Sequence, residues 1–447
     1  MRRLTTAAVV VLTTAALAAC GGGGSKNSAN GNNASSNKPV TLTMWSWFEA
    51  KGRELGVLQK VINQFEQDHP NIHVKLLGGV SDDRILAAIR SGTAADVVHS
   101  DSSDNTGAFC ASGAWVNLNA YMQRDGVNAD IFPPAPRYFT QYKGDRCALP
   151  MLADAYGLYY NKALFRQAGI AGPPKTMSEL AADAKKLTQK NSDGSLKVVG
   201  LDPVDGFYEN VAAHWAPQFG AQWIDSSGKS ILSQSPGWAQ WLRWQKSLVD
   251  WYGYSNLVKF QAAAGDEFSA SQAFERGKLA MNLDGEWRVA FIKAEHPELD
   301  YGTAPMPVAD DHPELYGAGY TNGSIVGIPK TTKDKDAAWE LVKYLATDDR
   351  ALATLANGIL NVPTTSSSLH SPLLKLDPKF KVFLSIFGNP HTATTPVTPV
   401  GSANQDLVDA FVGKWQAGKV TDLEGGLKNV DQQIDAQLAN ATAGQVP

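Results

Sequence analysis

The sequence predicts an α/β protein built as two lobes with a ligand cleft between them. Residues 41–100 alternate strand, helix, strand, helix, strand, an order that gives a mostly parallel sheet. About 400 of the 447 residues follow the N-terminal segment, more than one hydrophobic core normally serves. Asp154 and Tyr156 stand where an apolar strand leaves the first region, and such crossings commonly line a cleft.

The first region is assigned from hydrophobic spacing. Alternation predicts strands, whereas apolar residues at i, i+3, i+4 and i+7 predict a helix that Pro70 ends. Gly92 follows a second helix as a C-terminal cap would. The predicted elements are strand 41–47, helix 58–69, strand 72–76, helix 82–90 and strand 96–100.

The stretch 149–162, LPMLADAYGLYYNK, is predicted to leave the first lobe and open the second. Asn161 is a suitable N-cap and Gly169 a suitable C-terminal glycine, so residues 156–160 should be strand and 162–168 helix. Asp154 would then lie where the chain passes from the first lobe to the second. The alternative is that Asp154 is only a solvated residue at the start of a strand.

Two further helices follow in the second region. Thr176 and Glu179 form a capping box ahead of one of them. Residues 238–251 place four tryptophans in the other. Its apolar stripe is interpreted mainly as core, because helical spacing explains the stripe without a ligand.

The N-terminus has the features of a bacterial lipoprotein signal. Arg2 and Arg3 precede a short apolar run, and LAAC ends at Cys20, so residues 1–19 are expected to be removed and Cys20 lipidated. Residues 20–39 are rich in Gly, Ser and Asn and are expected to form a flexible tether. No other segment reaches the roughly 20 apolar residues of a spanning helix, so we expect a lipid-anchored protein on the extracytoplasmic face of the membrane.

The charge balance argues against a nucleic-acid partner. Loss of Arg2 and Arg3 would lower the basic count from 40 to 38 against 44 acidic residues, a net charge of −6. Nucleic-acid binding would require a basic face. Nothing in the sequence indicates oligomerisation, so a monomer is expected.

Cys110 and Cys147 remain once Cys20 is lipidated. An even pair in an exported protein is typical of a disulfide. Such a bond would close a loop of 37 residues, worth at most about 4 kcal/mol in the chain-entropy model. Two free buried thiols are the alternative.

The chain resembles the extracellular solute-binding proteins of ABC importers, in the carbohydrate branch that includes maltodextrin-binding and trehalose/maltose-binding proteins. The resemblance runs in the family's order across nearly the whole mature chain. It rests on MWSWFE, SGTAADVV, SGAWVNLN, YGLYYNKALFRQAGI, PPKTMSEL, FERGKLAMNLDGEW and GIPKTTKDKDAAWELVKYL.

This resemblance implies the periplasmic-binding-protein fold, with three crossings near Leu152, Pro305 and Thr347. Lobe 1 would comprise residues 40–152 and 305–347, and lobe 2 residues 153–304 and 348–447. The family captures a carbohydrate and delivers it to the membrane subunits of an ABC permease, without catalysis or a cofactor. Hinge closure over the ligand is expected.

The resemblance also implies ligand contacts. The residues that match the family's cleft positions are Trp45, Glu49, Asp101, Ser102, Asp154 and Trp287. Position in cleft-side strands and loops adds Tyr156, Glu209, Trp215, Trp223, Glu286 and Tyr320. The residue types suit a pyranose, because aromatic rings stack on its C–H faces while carboxylates bind its hydroxyls. For Trp287 the alternative is a ring buried against its own helix.

Two departures from the family favour a short sugar. Residues 100–104 contain no aromatic residue before Phe109. VTPVGSANQDL lacks the C-terminal aromatic pair of some members, and Gln405 is its nearest polar candidate.

The main alternative is a secreted glycoside hydrolase, which also places carboxylates and aromatics in a cleft. No carboxylate pair stands in a motif with defined spacing, and GxSxG, HExxH and CxxC are absent from the sequence, so no catalytic or metal-binding residue is predicted. A sugar-sensing lipoprotein receptor would need the same cleft as an importer.

Overall fold

The computed structural model describes residues 38–442. The predicted signal peptide, the lipidation site Cys20 and most of the predicted tether lie outside the described residues. Along residues 38–442, no helix has both the length and the apolar character needed to cross a bilayer.

Nine strands and sixteen α-helices make up the described chain. The strands are β1 (Val40–Ser46), β2 (Ile72–Leu77), β3 (Val97–Ser100), β4 (Ala148–Asn161), β5 (Gln189–Lys190), β6 (Leu196–Val198), β7 (Met281–Gly285), β8 (Tyr301–Ala304) and β9 (Thr321–Gly327). The first eight helices are α1 (Arg53–Asp68), α2 (Asp82–Ser91), α3 (Thr106–Ala111), α4 (Asn119–Arg124), α5 (Pro134–Phe139), α6 (Lys162–Gln167), α7 (Met177–Leu187) and α8 (Ala212–Trp215). The others are α9 (Pro236–Tyr252), α10 (Tyr254–Gln261), α11 (Arg288–Glu295), α12 (Lys335–Thr347), α13 (Asp349–Ile359), α14 (Lys381–Gly388), α15 (Ala403–Gln416) and α16 (Leu423–Thr442).

A single sheet in the order β2-β1-β3-β9-β4-β7 runs through both lobes, and β8 also pairs with β4. β1 pairs in parallel with β2 and β3. β9 and β4 pair antiparallel with their neighbours. The sheet is therefore mixed rather than mostly parallel, because β9 re-enters the first lobe from the second.

Lobe 1 carries helices on both faces of its sheet. Alternate residues of each strand point to opposite faces. Leu42 and Met44 pack with α1, α12 and α13 on one side. Val98 and Ile325 pack with Ile85, Phe109 and Phe139 on the other.

Lobe 2 has the same layered construction. Leu158 of β4 belongs to a core formed with α7, α9, α15 and α16. Tyr159 belongs to a second core with α11 and α14. Trp238 and Trp241 of α9 are fully buried in the first of these cores, which confirms the interpretation of that stripe as core.

The first crossing lies within β4, where residues 148–155 pair with β9 and residues 156–161 pair with β7 and β8. The sequence places the first crossing near Leu152, within this strand. Ala153 also exchanges backbone hydrogen bonds of 3.0 and 2.9 Å with Val362.

The other two crossings lie later in the chain than expected. Met306 and Tyr320 are in the lobe 2 core, so the second crossing falls between Tyr320 and β9 rather than near Pro305. Helix α13 packs on α1 in lobe 1, so the third crossing falls near residues 360–362 rather than 347. Residues 305–320 thus belong to lobe 2, and residues 348–359 to lobe 1.

Cys110 and Cys147 form the predicted disulfide, with their Cα atoms 5.6 Å apart. The bond joins α3 to the residue before β4. It ties the loop after β3 to the strand that crosses between lobes.

Candidate ligand-binding site

A cavity of about 890 Å³ opens between the two lobes. This volume is in the range of small-molecule sites. Its wall comes from the turns after β1 and β3, from the crossing strands, and from the lobe 2 loops before α8 and α11 and the start of α15. Three of its side chains are exposed aromatics: Trp47 (39 % exposed), Tyr208 (47 %) and Phe268 (51 %).

The turn after β1 presents Trp47 and Glu49 to the cavity. Ser46 fixes this turn, because its hydroxyl accepts the Phe48 N–H at 3.2 Å and pairs with His99 Nδ1 at 2.9 Å. The His99 ring lies 4.8 Å from Phe48 and 6.1 Å from Trp47. Burial lowers the pKa of His99 to about 3, so a neutral imidazole supports the aromatic turn.

The turn after β3 contributes Asp101, Ser102 and Asp104. Asp104 accepts hydrogen bonds from Gln405 Nε2 at 2.9 Å and from Thr395 Oγ1 at 2.5 Å. Both donors belong to segments that continue into lobe 2. Asp104 is therefore a direct polar link between the lobes.

Two carboxyl groups meet at the crossing, Asp154 on the cavity wall and Glu286 behind it. Asn361 Nδ2 donates to Asp154 Oδ1 and, at 2.8 Å, to Glu286 Oε1. Glu286 Oε2 accepts the Ala155 N–H at 2.9 Å. Burial raises the pKa of Asp154 to about 6 and that of Glu286 well above its usual range. Repulsion from the neighbouring Asp154 carboxylate adds to the increase in the pKa of Glu286.

The lobe 2 side of the cavity is aromatic. Trp287 and Tyr208 line it with centroids 6.1 Å apart. The Asn322 Nδ2 donates to the Tyr208 hydroxyl at 3.2 Å, while Asn322 Oδ1 accepts from Tyr156 at 3.3 Å. The Tyr156 ring packs edge-on against Trp287 at 5.7 Å. This arrangement fixes the orientation of the Trp287 ring.

Six of the residues expected in the cleft line the cavity: Glu49, Asp101, Ser102, Asp154, Trp287 and Tyr320. Tyr156 and Glu286 are fully buried directly behind them. They contact Asn322, Trp287, Asn361 and Ala155 rather than the cavity itself. From there, Tyr156 and Glu286 can hold the wall residues in position.

Four expected cleft residues do not line the cavity. Trp45 is half-buried on the face of β1 opposite Leu42 and Met44, where it packs against the core that contains Val80 and Ile85 and has Arg84 over its ring at 5.5 Å. Glu209 is buried 3.5 Å from Arg288. Trp215 packs on Trp244, and its Nε1 bonds to Asn210. Trp223 packs edge-on against Trp238 at 4.8 Å.

Several wall residues were missed from the sequence. Asn322 and Ser324 lie two apart in β9 and line the cavity. Residues two apart in a strand point to the same face of the sheet, so their spacing is a usable signal. Trp47, Tyr208 and Phe268 stand in loops, where no periodicity reveals which way a side chain points. Asn361, Asp406 and Asp409 reach the wall only through tertiary packing.

The wall can form hydrogen bonds to a polar ligand and can stack aromatic rings on it. Among residues 38–442, no group of three or more His, Cys, Asp or Glu is arranged to hold a metal ion. His214 also lines the cavity, and burial lowers its pKa to about 3. The imidazole is therefore neutral at physiological pH.

Residues 51–351 match the family model described as bacterial extracellular solute-binding protein. This chain belongs to that family. Members of the family are extracytoplasmic binding proteins, and the two-lobe α/β architecture with a cavity between lobes agrees with membership.

Individual relatives of this solute-binding protein are distant. The maltotriose-binding protein of Pyrococcus abyssi is 23% identical over 398 residues, which are 87% of this chain and 81% of the relative. A maltooligosaccharide ABC transporter solute-binding lipoprotein of Streptococcus pneumoniae is 24% identical over 286 residues, which are 61% of this chain and 60% of the relative. The solved structure of CpMnBP1 with mannotriose bound has a TM-score of 0.74 at 28% identity and covers 88% of this chain and 99% of that one.

Proposed function

We propose that this solute-binding protein captures a short saccharide between its lobes and delivers it to the membrane subunits of an ABC permease. The observation that carries the proposal is the interlobe cavity of about 890 Å³, in which exposed aromatic rings stand beside carboxylates and amides. Relatives whose names specify maltotriose, maltooligosaccharide and an ABC transporter support the same function.

The wall suits the two surfaces of a sugar. Trp47 and Trp287 offer aromatic faces to the C–H faces of a pyranose. Glu49, Asp101 and Asp154 supply acceptors for hydroxyl groups, while Asn322 supplies an amide. We assign these side chains, with Ser102 and Tyr320, as the ligand contacts.

Uptake would proceed by a shift between open and closed forms. A ligand that contacts residues from both lobes binds the closed form better, and therefore raises its population. The three crossings supply the hinge, and the closed rims dock on the permease.

We further propose that the protein is a monomer held to the membrane by lipid on Cys20. A Cys20→Ala variant should then leave the membrane fraction.

Calorimetric titration of residues 40–447 tests the proposal. The protein is first unfolded and refolded without reductant, which removes ligand carried through purification and keeps the Cys110–Cys147 bond. Mono-, di- and trisaccharides are then titrated. Micromolar or tighter binding of a sugar that is recovered intact is the expected result. Recovery of cleaved sugar would instead identify a hydrolase, and absence of saccharide binding would refute the proposal.

A further inference from the structure

The wall of the interlobe cavity is strongly acidic. Within the described part of the chain, Arg53 is its only Lys or Arg. Arg53 donates to Glu54 at 3.3 Å and to the Ile359 carbonyl at 3.3 Å, so these two charges offset one another. The carboxylates that remain on the wall are Glu49, Asp101, Asp104, Asp154, Asp406 and Asp409.

Protein groups compensate these carboxylates only in part. Asp104 accepts from Thr395 and Gln405, which are neutral. Asp409 accepts the Ala212 N–H at 3.4 Å, and burial raises its pKa to about 6. Asp406 and Glu49 are exposed to the cavity, and among residues 38–442 neither side chain has a hydrogen bond or an ion pair. Closing such a site over a neutral ligand would bring like charges into a drier environment without a counter-charge.

The same wall shows an independent sign of a polar ligand. Ser324 is only 6 % exposed and lines the cavity, and its hydroxyl has no hydrogen-bond partner among the described residues. A buried hydroxyl without a partner is unfavourable. A ligand hydroxyl or amine in the cavity would provide the missing bond.

We propose that the ligand is a saccharide that carries a protonated amine, that is, an amino sugar whose nitrogen is not acylated. This inference rests on the saccharide-binding function proposed above. An ammonium group makes charge-assisted hydrogen bonds to carboxylates, and the neighbouring faces of Trp47, Tyr208 and Trp287 favour a cation as well as a sugar ring. The aromatic area argues for a ring-bearing ligand over a linear polyamine.

Titration with matched triplets tests the proposal. Each triplet contains the amino sugar, its hydroxyl counterpart and its N-acetyl counterpart: glucosamine, glucose and N-acetylglucosamine; chitobiose, cellobiose and diacetylchitobiose; and the galactose and mannose series. At pH 7 the amino member of the binding triplet should bind at least about tenfold tighter than the other two. Raising the salt concentration should weaken the amino member selectively.

Asp406→Asn removes one wall charge from an exposed site on α15 while preserving side-chain shape. It should weaken binding of the amino sugar about fivefold, and by more than it weakens binding of the hydroxyl counterpart. Asp311→Asn makes the same change on the outer surface of lobe 2, where Asp311 accepts from Gln240, and should affect neither ligand.

The outcomes separate the two proposals. If a neutral or N-acetylated member binds as tightly as its amino counterpart, or if Asp406→Asn weakens all members equally, the amino-sugar inference is wrong and saccharide binding stands. If no saccharide binds, both proposals are wrong. This includes the outcome in which spermidine, a linear polyamine titrated alongside the sugars, is the sole ligand that binds.

Discussion

At the scale of single residues, the site combines rigid aromatic groups with two neighbouring carboxyl groups. Asp154 and Glu286 are linked through Asn361, and burial raises the pKa values of both. Glu286 is fully buried behind the wall. Asp154 lines the cavity and is the member of the pair that can carry the charge toward a ligand.

Trp287 should supply a large share of the affinity. Its ring lines the cavity and is held by Tyr156 and Tyr208. Trp287→Ala should weaken binding of the identified sugar by more than about 1 kcal/mol, measured by calorimetric titration, while unfolding stays cooperative. Trp251→Ala is the matched control, because Trp251 is exposed on α9 away from the cavity. Equal affinity for wild type and Trp287→Ala would exclude Trp287 from the site.

Asp154→Asn should stabilise the ligand-free protein, and more at pH 8 than at pH 5. The pKa of Asp154 is raised to about 6 by burial, so the folded state binds this proton more tightly than the unfolded state does. The unfavourable buried charge is therefore present above pH 6 and is lost as the pH falls toward 5.

The midpoint of thermal unfolding at both pH values measures the effect of Asp154→Asn. Asn keeps an oxygen that can accept from Asn361, and Asp311→Asn controls for an exposed carboxylate. An increase in the unfolding midpoint of the same size at pH 5 and at pH 8 would contradict the expected charge effect.

At the scale of elements, β9 and β4 form the part of the sheet on which the crossing depends. A Cβ on Gly323 would lie 2.3 Å from the Leu152 carbonyl oxygen and 2.8 Å from Ala153 Cα. Both of these are backbone atoms of β4, which cannot move aside without separating the strands. Only glycine allows β9 to approach β4 this closely.

Gly323→Ala should therefore destabilise the protein by about 1–3 kcal/mol, the usual range for overpacking. Gly56→Ala is the opposing control, because Gly56 lies within α1 and a Cβ there meets nothing within 4 Å. That change should stabilise by about 0.5–1 kcal/mol. Urea unfolding of both variants gives the two free energies. A neutral Gly323→Ala would show that the two strands can separate without loss of stability.

Among the helices and strands, local features were predictable from the sequence, whereas the placement of the second and third crossings between lobes was not. The caps at Asn161 and Thr176 and the helical stripe of α9 are local features, and the structure has them as predicted. The second crossing was misplaced because Met306 and Val308 would be equally apolar in either lobe. Met306 packs in a lobe 2 core and Val308 pairs with Thr176, and only these contacts place the segment in lobe 2.

The same limit applies to the site. Asp101 and Asp154 line the cavity, and the sequence could point to them because they stand at strand ends or crossings, which topology brings to a cleft. Tyr208 lines the cavity and Trp215 does not, although both lie in one aromatic-rich segment. The local sequence does not distinguish the two residues, because only tertiary packing buries Trp215 and exposes Tyr208.

At the scale of the whole molecule, two lobes share one sheet and meet across a cavity lined by both. Contacts such as Asp104 with Gln405 already link them. A ligand that bridges the walls should add to these contacts and shift the population toward the closed form.

Small-angle X-ray scattering should therefore record a smaller radius of gyration when the confirmed sugar is added. The matched control is the Trp287→Ala variant at a sugar concentration that saturates only the wild type. An unchanged radius of gyration in a saturated wild-type sample would refute hinge closure while leaving binding itself intact.

The position of β9 between β3 and β4 also has a consequence for the order in which the chain can fold. Gly327 pairs with Val98 on one side and with Ala148 on the other, yet it follows Ala148 by almost 180 residues along the chain. Until β9 docks, the sheet of lobe 1 has an open slot at its centre. The Cys110–Cys147 bond lies entirely within the earlier segment, so it can hold the two borders of that slot together while the last strand arrives.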